Sequence, residues 1–112
     1  LIWALLVGCA PQVPEVCVDM CTAATELYGG CLDDWGVGWS DAGYDDQPAF
    51  QDSCETWAWE VAVLEQDAVK QGTLDEGGTL EPECAARLEV LAAPDATCKA
   101  YTEMEWDTLP WQ

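Results

Sequence analysis

The chain contains no histidine and only three basic residues, Lys70, Arg87 and Lys99, among its 112. Without an imidazole there is no ordinary base to activate a nucleophile, and Ser40 and Ser53 are the only serines. The common zinc spacings are missing as well, since no C-x-x-C occurs and mixed Cys/His ligation needs histidine. Haem attachment through C-x-x-C-H is excluded on the same ground. Against those three cations stand 22 acidic side chains, for a formal net charge of −19. From Cys9 to Val69 there is no basic residue at all. Phosphate binding needs a cationic footprint, so nucleic acid is excluded as a partner. No apolar run reaches the roughly 20 residues that a membrane-crossing helix requires.

What is present points to a folded domain. Half of the residues are apolar and seven are tryptophan, which separates the chain from a disordered acidic tail. The length suits one small domain with a thin core, and domains of this kind usually add covalent staples. Seven cysteines supply them. The acidity is explained most simply by solubility and self-repulsion between neighbours. Cationic partners and divalent ions are the functional alternatives.

The apolar run Leu1 to Val7 ends in Gly8 and Cys9, and Pro11 and Pro14 follow. The motif Leu6-Val7-Gly8-Cys9 resembles the lipobox of bacterial lipoproteins. The resemblance implies that Cys9 receives diacylglycerol and becomes the first residue of the mature chain. On that reading 1–8 is the end of a truncated signal peptide, 9–14 is a lipidated tether, and 15–112 is a Cys-rich helical domain. Ala10, in place of aspartate, implies sorting to the outer membrane of a bacterial cell envelope. The whole resembles the small Cys-rich acidic envelope lipoproteins, for which no common activity is assigned.

The cysteines beyond Cys9 are Cys17, Cys21, Cys31, Cys54, Cys84 and Cys98. An even number in a short exported chain reads as three disulfides. Hydrophobic periodicity predicts a helix over Glu15 to Tyr28, stopped by Gly29-Gly30, with Cys17, Met20, Cys21, Ala24, Leu27 and Tyr28 on its inner face. A second helix is predicted from Pro48 to Gln71, with Phe50, Cys54, Trp57, Ala58, Val61, Leu64, Ala68 and Val69 inward and Asp52, Glu55, Glu60 and Glu65 outside. A third runs from Leu80 to Ala92 with Thr79 as N-cap and Leu80, Cys84, Leu88 and Leu91 inward. A short fourth spans roughly Asp95 to Glu103, and Trp106 and Leu109 are expected to lie across the bundle. The fold class is thus all-α, a small disulfide-stapled bundle of three to four helices. An antiparallel pairing of the first two helices brings Cys21 level with Cys54, the preferred bridge. For Cys17, Cys84 and Cys98 are equally good partners.

The stretch from Cys31 to Gln47 is predicted as a long acidic loop, and loops of that length are usually functional or mobile. It carries Asp33, Asp34, Trp35, Trp39, Asp41, Tyr44, Asp45 and Asp46. Five carboxylates there are a candidate calcium site, although the EF-hand pattern is absent. The interleaved aromatics are a candidate surface for a cationic protein or glycan partner. They are equally the material of a core, and for each ring the core is the stronger expectation. A carboxylate pair beside Trp39 and Tyr44 could in principle hydrolyse glycosides, but so acidic a chain always contains such a pair. The expected role is therefore non-enzymatic, structural or partner-binding, with a calcium-binding module as the alternative.

Overall fold

The computed structural model describes residues 11–105, which form four helices and no strand. They are α1 (Glu15–Trp35), α2 (Gln47–Lys70), α3 (Leu80–Leu91) and α4 (Cys98–Thr102). The expected all-α, disulfide-stapled bundle is the fold observed. The Leu6-Val7-Gly8-Cys9 motif, Trp106 and Leu109 lie outside the described residues.

Helix α1 runs straight through Gly29-Gly30 and stops at Gly36, whose φ of 72° is left-handed. There the Val37 N–H donates to the Leu32 carbonyl at 3.0 Å and the Gly36 N–H to the Asp33 carbonyl at 3.1 Å, the paired bonds of a Schellman ending. Each mid-helix glycine costs about 1 kcal/mol relative to alanine. The added turns bury Cys31 and Leu32, which more than offsets that cost. Gly29 also serves the fold directly, because a Cβ there would lie 3.2 Å from the Trp39 ring. Asp33, Asp34 and Trp35 are consequently helical, and the loop shrinks to residues 36–46.

Helix α2 begins where the sequence indicates. The Asp46 side chain accepts a hydrogen bond from the Ala49 N–H at 2.9 Å, and Pro48 sits in the first turn. Tyr28 meets Phe50, Thr25 meets Gln51, and Cys21 is bonded to Cys54, so α1 and α2 are antiparallel. The buried Thr25 hydroxyl lies 2.7 Å from the Cys21 carbonyl and 2.8 Å from Gln51 Oε1, which pins this register. Cys21 is six residues from the start of α1, whereas α2 continues sixteen residues past Cys54. The far end of α2 therefore overshoots α1. That overshoot corrects two expectations: Leu64 is exposed, and Glu65 turns inward.

Glu65 performs the capping expected of Thr79. The Thr79 side chain makes no cap bond. Instead Glu65 Oε2 accepts from the N–H groups of both Thr79 and Leu80, each at 2.7 Å. A carboxylate at this position satisfies two orphan donors and meets the positive end of the α3 dipole. Gly78 makes room for it, since a Cβ at Gly78 would collide with the Glu65 carboxylate, and its φ of 64° is left-handed. Along α3 the buried residues are Leu80, Cys84, Arg87 and Leu91. Arg87 thus takes the innermost place expected of Leu88, which is only partly buried. Helix α4 is shorter than expected and starts at Cys98, with Thr97 Oγ1 accepting from the Ala100 N–H.

Three bridges close the fold: Cys21–Cys54 as expected, Cys17–Cys84, one of the two equal alternatives, and Cys31–Cys98. The last two share a sequence separation of 67, so the α3–α4 stretch runs along α1 in the same direction. Met20, Ala24, Ala58, Val61, Leu80 and Leu91 fill the space between the helices with the cystines.

Candidate functional site

Most of the aromatics singled out in the acidic stretch belong to the core. Trp39, Tyr44, Phe50, Tyr28 and Tyr101 form one cluster, drawn from loop 36–46, α2, α1 and α4. Tyr28 is its hub. It stacks on Tyr101 at 4.7 Å and meets Trp39 edge-on at 5.6 Å. Each such pair contributes about 0.5–1.5 kcal/mol beyond the area it buries. Burial, reinforced by the phenols of Tyr28 and Tyr44, pushes the Tyr101 hydroxyl above the usual phenol range. Trp39 and Tyr44 accordingly hold the loop down on the helices.

The loop backbone is correspondingly regular. Ala42 and Gly43 close successive turns onto Trp39 and Ser40, and the Tyr44 N–H returns to the Trp39 carbonyl. Two of the five carboxylates serve this geometry. Asp41 Oδ2 accepts from the Gly38 N–H at 2.8 Å, and Asp46 caps α2. Among the described residues no three acidic or cysteine side chains converge on a point that could hold a metal ion. Hard cations such as calcium want six to eight oxygens around one point, and the five carboxylates of the candidate calcium loop do not converge in that way.

Trp35 is different. It is 51 % exposed, and its ring meets the aromatic cluster edge-on at Tyr28, 6.4 Å away. Val37, two residues on, is also exposed. Between them lies the Gly36 turn, whose Schellman bonds fix the backbone at the end of α1. The Cys31–Cys98 bridge anchors the same turn of helix from beneath. Asp33 and Asp34 occupy the last turn of α1, which contains no basic residue. Carboxylates are unfavourable there, because the helix C-terminus already carries about half a negative charge. The sequence-predicted residues therefore divide. Trp39, Asp41, Tyr44 and Asp46 are structural, Asp33, Asp34 and Trp35 share one helix end, and Asp45 is exposed on the loop.

Two open grooves lie among the described residues. One, of about 450 Å³, runs between Pro11–Pro14 and the overshooting end of α2, with Glu65 and Lys70 on its walls. The other, of about 280 Å³, is lined by Glu83, Arg87, Val90 and Met104. Neither gathers groups suited to catalysis. In the second, Arg87 is occupied by the fold: Nε pairs with Glu83 at 3.1 Å, Nη2 donates to the Glu105 carbonyl at 2.7 Å, and the guanidinium lies 5.1 Å from the Trp57 ring. Reading α3 by apolar period alone overlooks this residue. Its one legible signal is Glu83 placed four residues earlier. Among the described residues no helix is long and apolar enough to cross a membrane. No family model, curated protein or solved structure matches this chain.

Proposed function

We propose that this chain is a lipid-anchored domain of the bacterial cell envelope, held at the outer membrane through Cys9, with a non-enzymatic, partner-binding role. The observation that carries the reading is the pairing of the cysteines. Cys17, Cys21, Cys31, Cys54, Cys84 and Cys98 bond among themselves. That leaves Cys9, the residue after Leu6-Val7-Gly8, for attachment of lipid. Disulfides persist in oxidising compartments, which agrees with export. An anchor of several acyl chains is stable because each buried methylene contributes about 0.8 kcal/mol. The domain itself, at −19, is repelled by an anionic headgroup surface and stands off from it. Exposed Trp35 beside Asp33 and Asp34 favours partner binding over a purely structural role.

The deciding measurement is the intact mass of the protein taken from the membrane fraction, before and after reduction. The expected species begins at Cys9, carries added lipid and gains the mass of six hydrogen atoms when a thiol reductant opens the three bridges. An unlipidated species that retains the residues before Cys9 would refute the anchor. Cys9→Ser should release the protein from membranes without altering the three bridges.

A further inference from the structure

We infer that this chain reaches its native pairing through a thiol–disulfide isomerase, a dithiol catalyst of the oxidising compartment that receives it, an inference that rests on export of the chain and not on the lipid.

No bridge joins cysteines that are neighbours in chain order. Cys31 lies between Cys21 and Cys54, Cys54 and Cys84 lie between Cys31 and Cys98, and Cys21, Cys31 and Cys54 lie inside Cys17–Cys84. Cys17, Cys21 and Cys31 all belong to α1, and each is bonded to a cysteine later in the chain than Cys31. A chain that enters the compartment amino-terminus first therefore exposes three thiols before any native partner has arrived.

Entropy favours the wrong bond as well. The closure cost of a loop grows as (3/2)RT ln n, so the chance of closure falls with the 3/2 power of separation. Cys21 and Cys31 are ten positions apart, whereas the native separations are 33 and 67. In the unfolded chain Cys21 thus meets Cys31 roughly sixfold more readily than Cys54. Cys31 meets Cys21 roughly 17-fold more readily than Cys98.

A Cys21–Cys31 bond is a trap. Along α1 the rise of about 1.5 Å per residue sets these two Cα atoms about 15 Å apart, and a disulfide needs them within about 7 Å. A Cys17–Cys21 bond is equally foreign to the helix. Cβ atoms four residues apart lie about 5–6 Å from each other, against the roughly 3.5–4.5 Å of a disulfide. Either bond prevents α1 from forming, and α1 supplies one end of every native bridge.

Unaided escape is slow. Reshuffling needs a free thiolate to attack the wrong bond, and Glu15, Asp19, Asp33 and Asp34 stand close in sequence to the α1 thiols and repel it. The catalysed route balances without net oxidation. An isomerase thiolate attacks Cys21 Sγ of the Cys21–Cys31 bond and releases Cys31 as a thiolate. The Cys54 thiolate then attacks Cys21 Sγ and expels the isomerase thiolate, which completes Cys21–Cys54 and leaves Cys31 for Cys98. Once the bundle closes, Cys17, Cys21, Cys31 and Cys84 are buried, so exchange stops at the native pairing.

The test uses the full chain with Cys9→Ser, which keeps the seventh thiol out of the exchange. It is reduced, unfolded and diluted into a glutathione redox buffer at neutral pH. Pairing is read by alkylation, cleavage at acidic residues and mass spectrometry, since Asp19 and Glu26 separate the three α1 cysteines. Cys21–Cys31 should exceed Cys21–Cys54 among the first one-bridge species. A catalytic amount of protein disulfide isomerase should speed the native three-bridge species by at least about fivefold, and the same isomerase with alanine for its active-site cysteines should not. A smaller gain, an equal gain from the alanine isomerase, or Cys21–Cys54 as the leading first bridge would overturn the inference. Isomerase-independent pairing with a lipidated mass would remove this route and leave the anchor standing, whereas isomerase dependence with an unlipidated mass would do the reverse.

Discussion

Replacing Gly78 by alanine should destabilise the domain far more than an exposed turn residue usually does, and through a side chain on another helix. Gly78 has φ of 64°, where a residue with a Cβ costs about 1–2 kcal/mol. The new Cβ would also fall onto the Glu65 carboxylate and expel it from the N–H groups of Thr79 and Leu80. Losing an N-cap costs about 0.5–2 kcal/mol. The combined cost is about 2–4 kcal/mol, and Glu65→Ala alone should cost about 1–2 kcal/mol. In the Glu65→Ala background, however, Gly78→Ala has no cap left to displace and should cost only the backbone contribution. The double-mutant cycle should therefore show a coupling of about 1–2 kcal/mol. Guanidinium chloride unfolding with the disulfides intact, followed by far-ultraviolet circular dichroism, would read this as a change of midpoint at constant slope. Additive costs would refute the account, because α3 would then not depend on Glu65 for its start.

Removing the Cys31–Cys98 bridge as a double alanine variant should cost about 3–4 kcal/mol by the chain-entropy model. With Cys17–Cys84 closed, the loop it controls is only fourteen residues on each side; thermal unfolding measures this, and α4 should lose its amide protection first. Arg87→Met should cost about 2–3 kcal/mol, because Glu83 and the Glu105 carbonyl lose their shared donor and Trp57 its cation; Arg87→Lys should recover only part of it in the same assay. The Tyr101 phenol, held protonated by burial, should titrate above the usual phenol range in an ultraviolet titration. Its folded value is raised, so its contribution to stability is full below about pH 10, where an unfolded tyrosine ionises, and is lost as pH rises beyond that.

Periodicity located α2 to within a residue at either end because its signals agree: Asp46 and Pro48 at the start, a continuous apolar face, and Lys70 before Gly72 at the stop. The Cys21–Cys54 bridge followed from the same hairpin geometry. The end of α1 was not legible, because Gly29-Gly30 reads locally as a stop and only tertiary packing shows otherwise. Gly29 is small so that Trp39 can approach it, not so that the chain can turn. Glu65 was misplaced for a related reason. Its outward place on the helical wheel is correct for a helix flanked along its whole length, and α2 is not. The acidic stretch divided into structural and exposed halves along a line that spacing does not mark: whether a ring lies before or after Gly36. Trp39 and Tyr44 follow that turn and fold back, while Trp35 precedes it and stays on the outside.

Every disulfide has one of its cysteines in α1, and the other three helices each supply one partner or, for α4, its first residue. This makes α1 a covalent spine, and the mechanical consequence is specific. A pull entering through the segment before Pro14 reaches Cys17 first and divides there, one branch crossing the sulfurs to Cys84 and the other following α1 to Cys31 and crossing to Cys98. Either route from Pro11 to Glu105 spans roughly 27 chain steps, about 95 Å when taut, because the two bridges share a sequence separation of 67. Helix α2 lies off both routes in a closed loop. A load that melts its packing cannot draw it out into a strand, so α2 returns to its own register when the load is released.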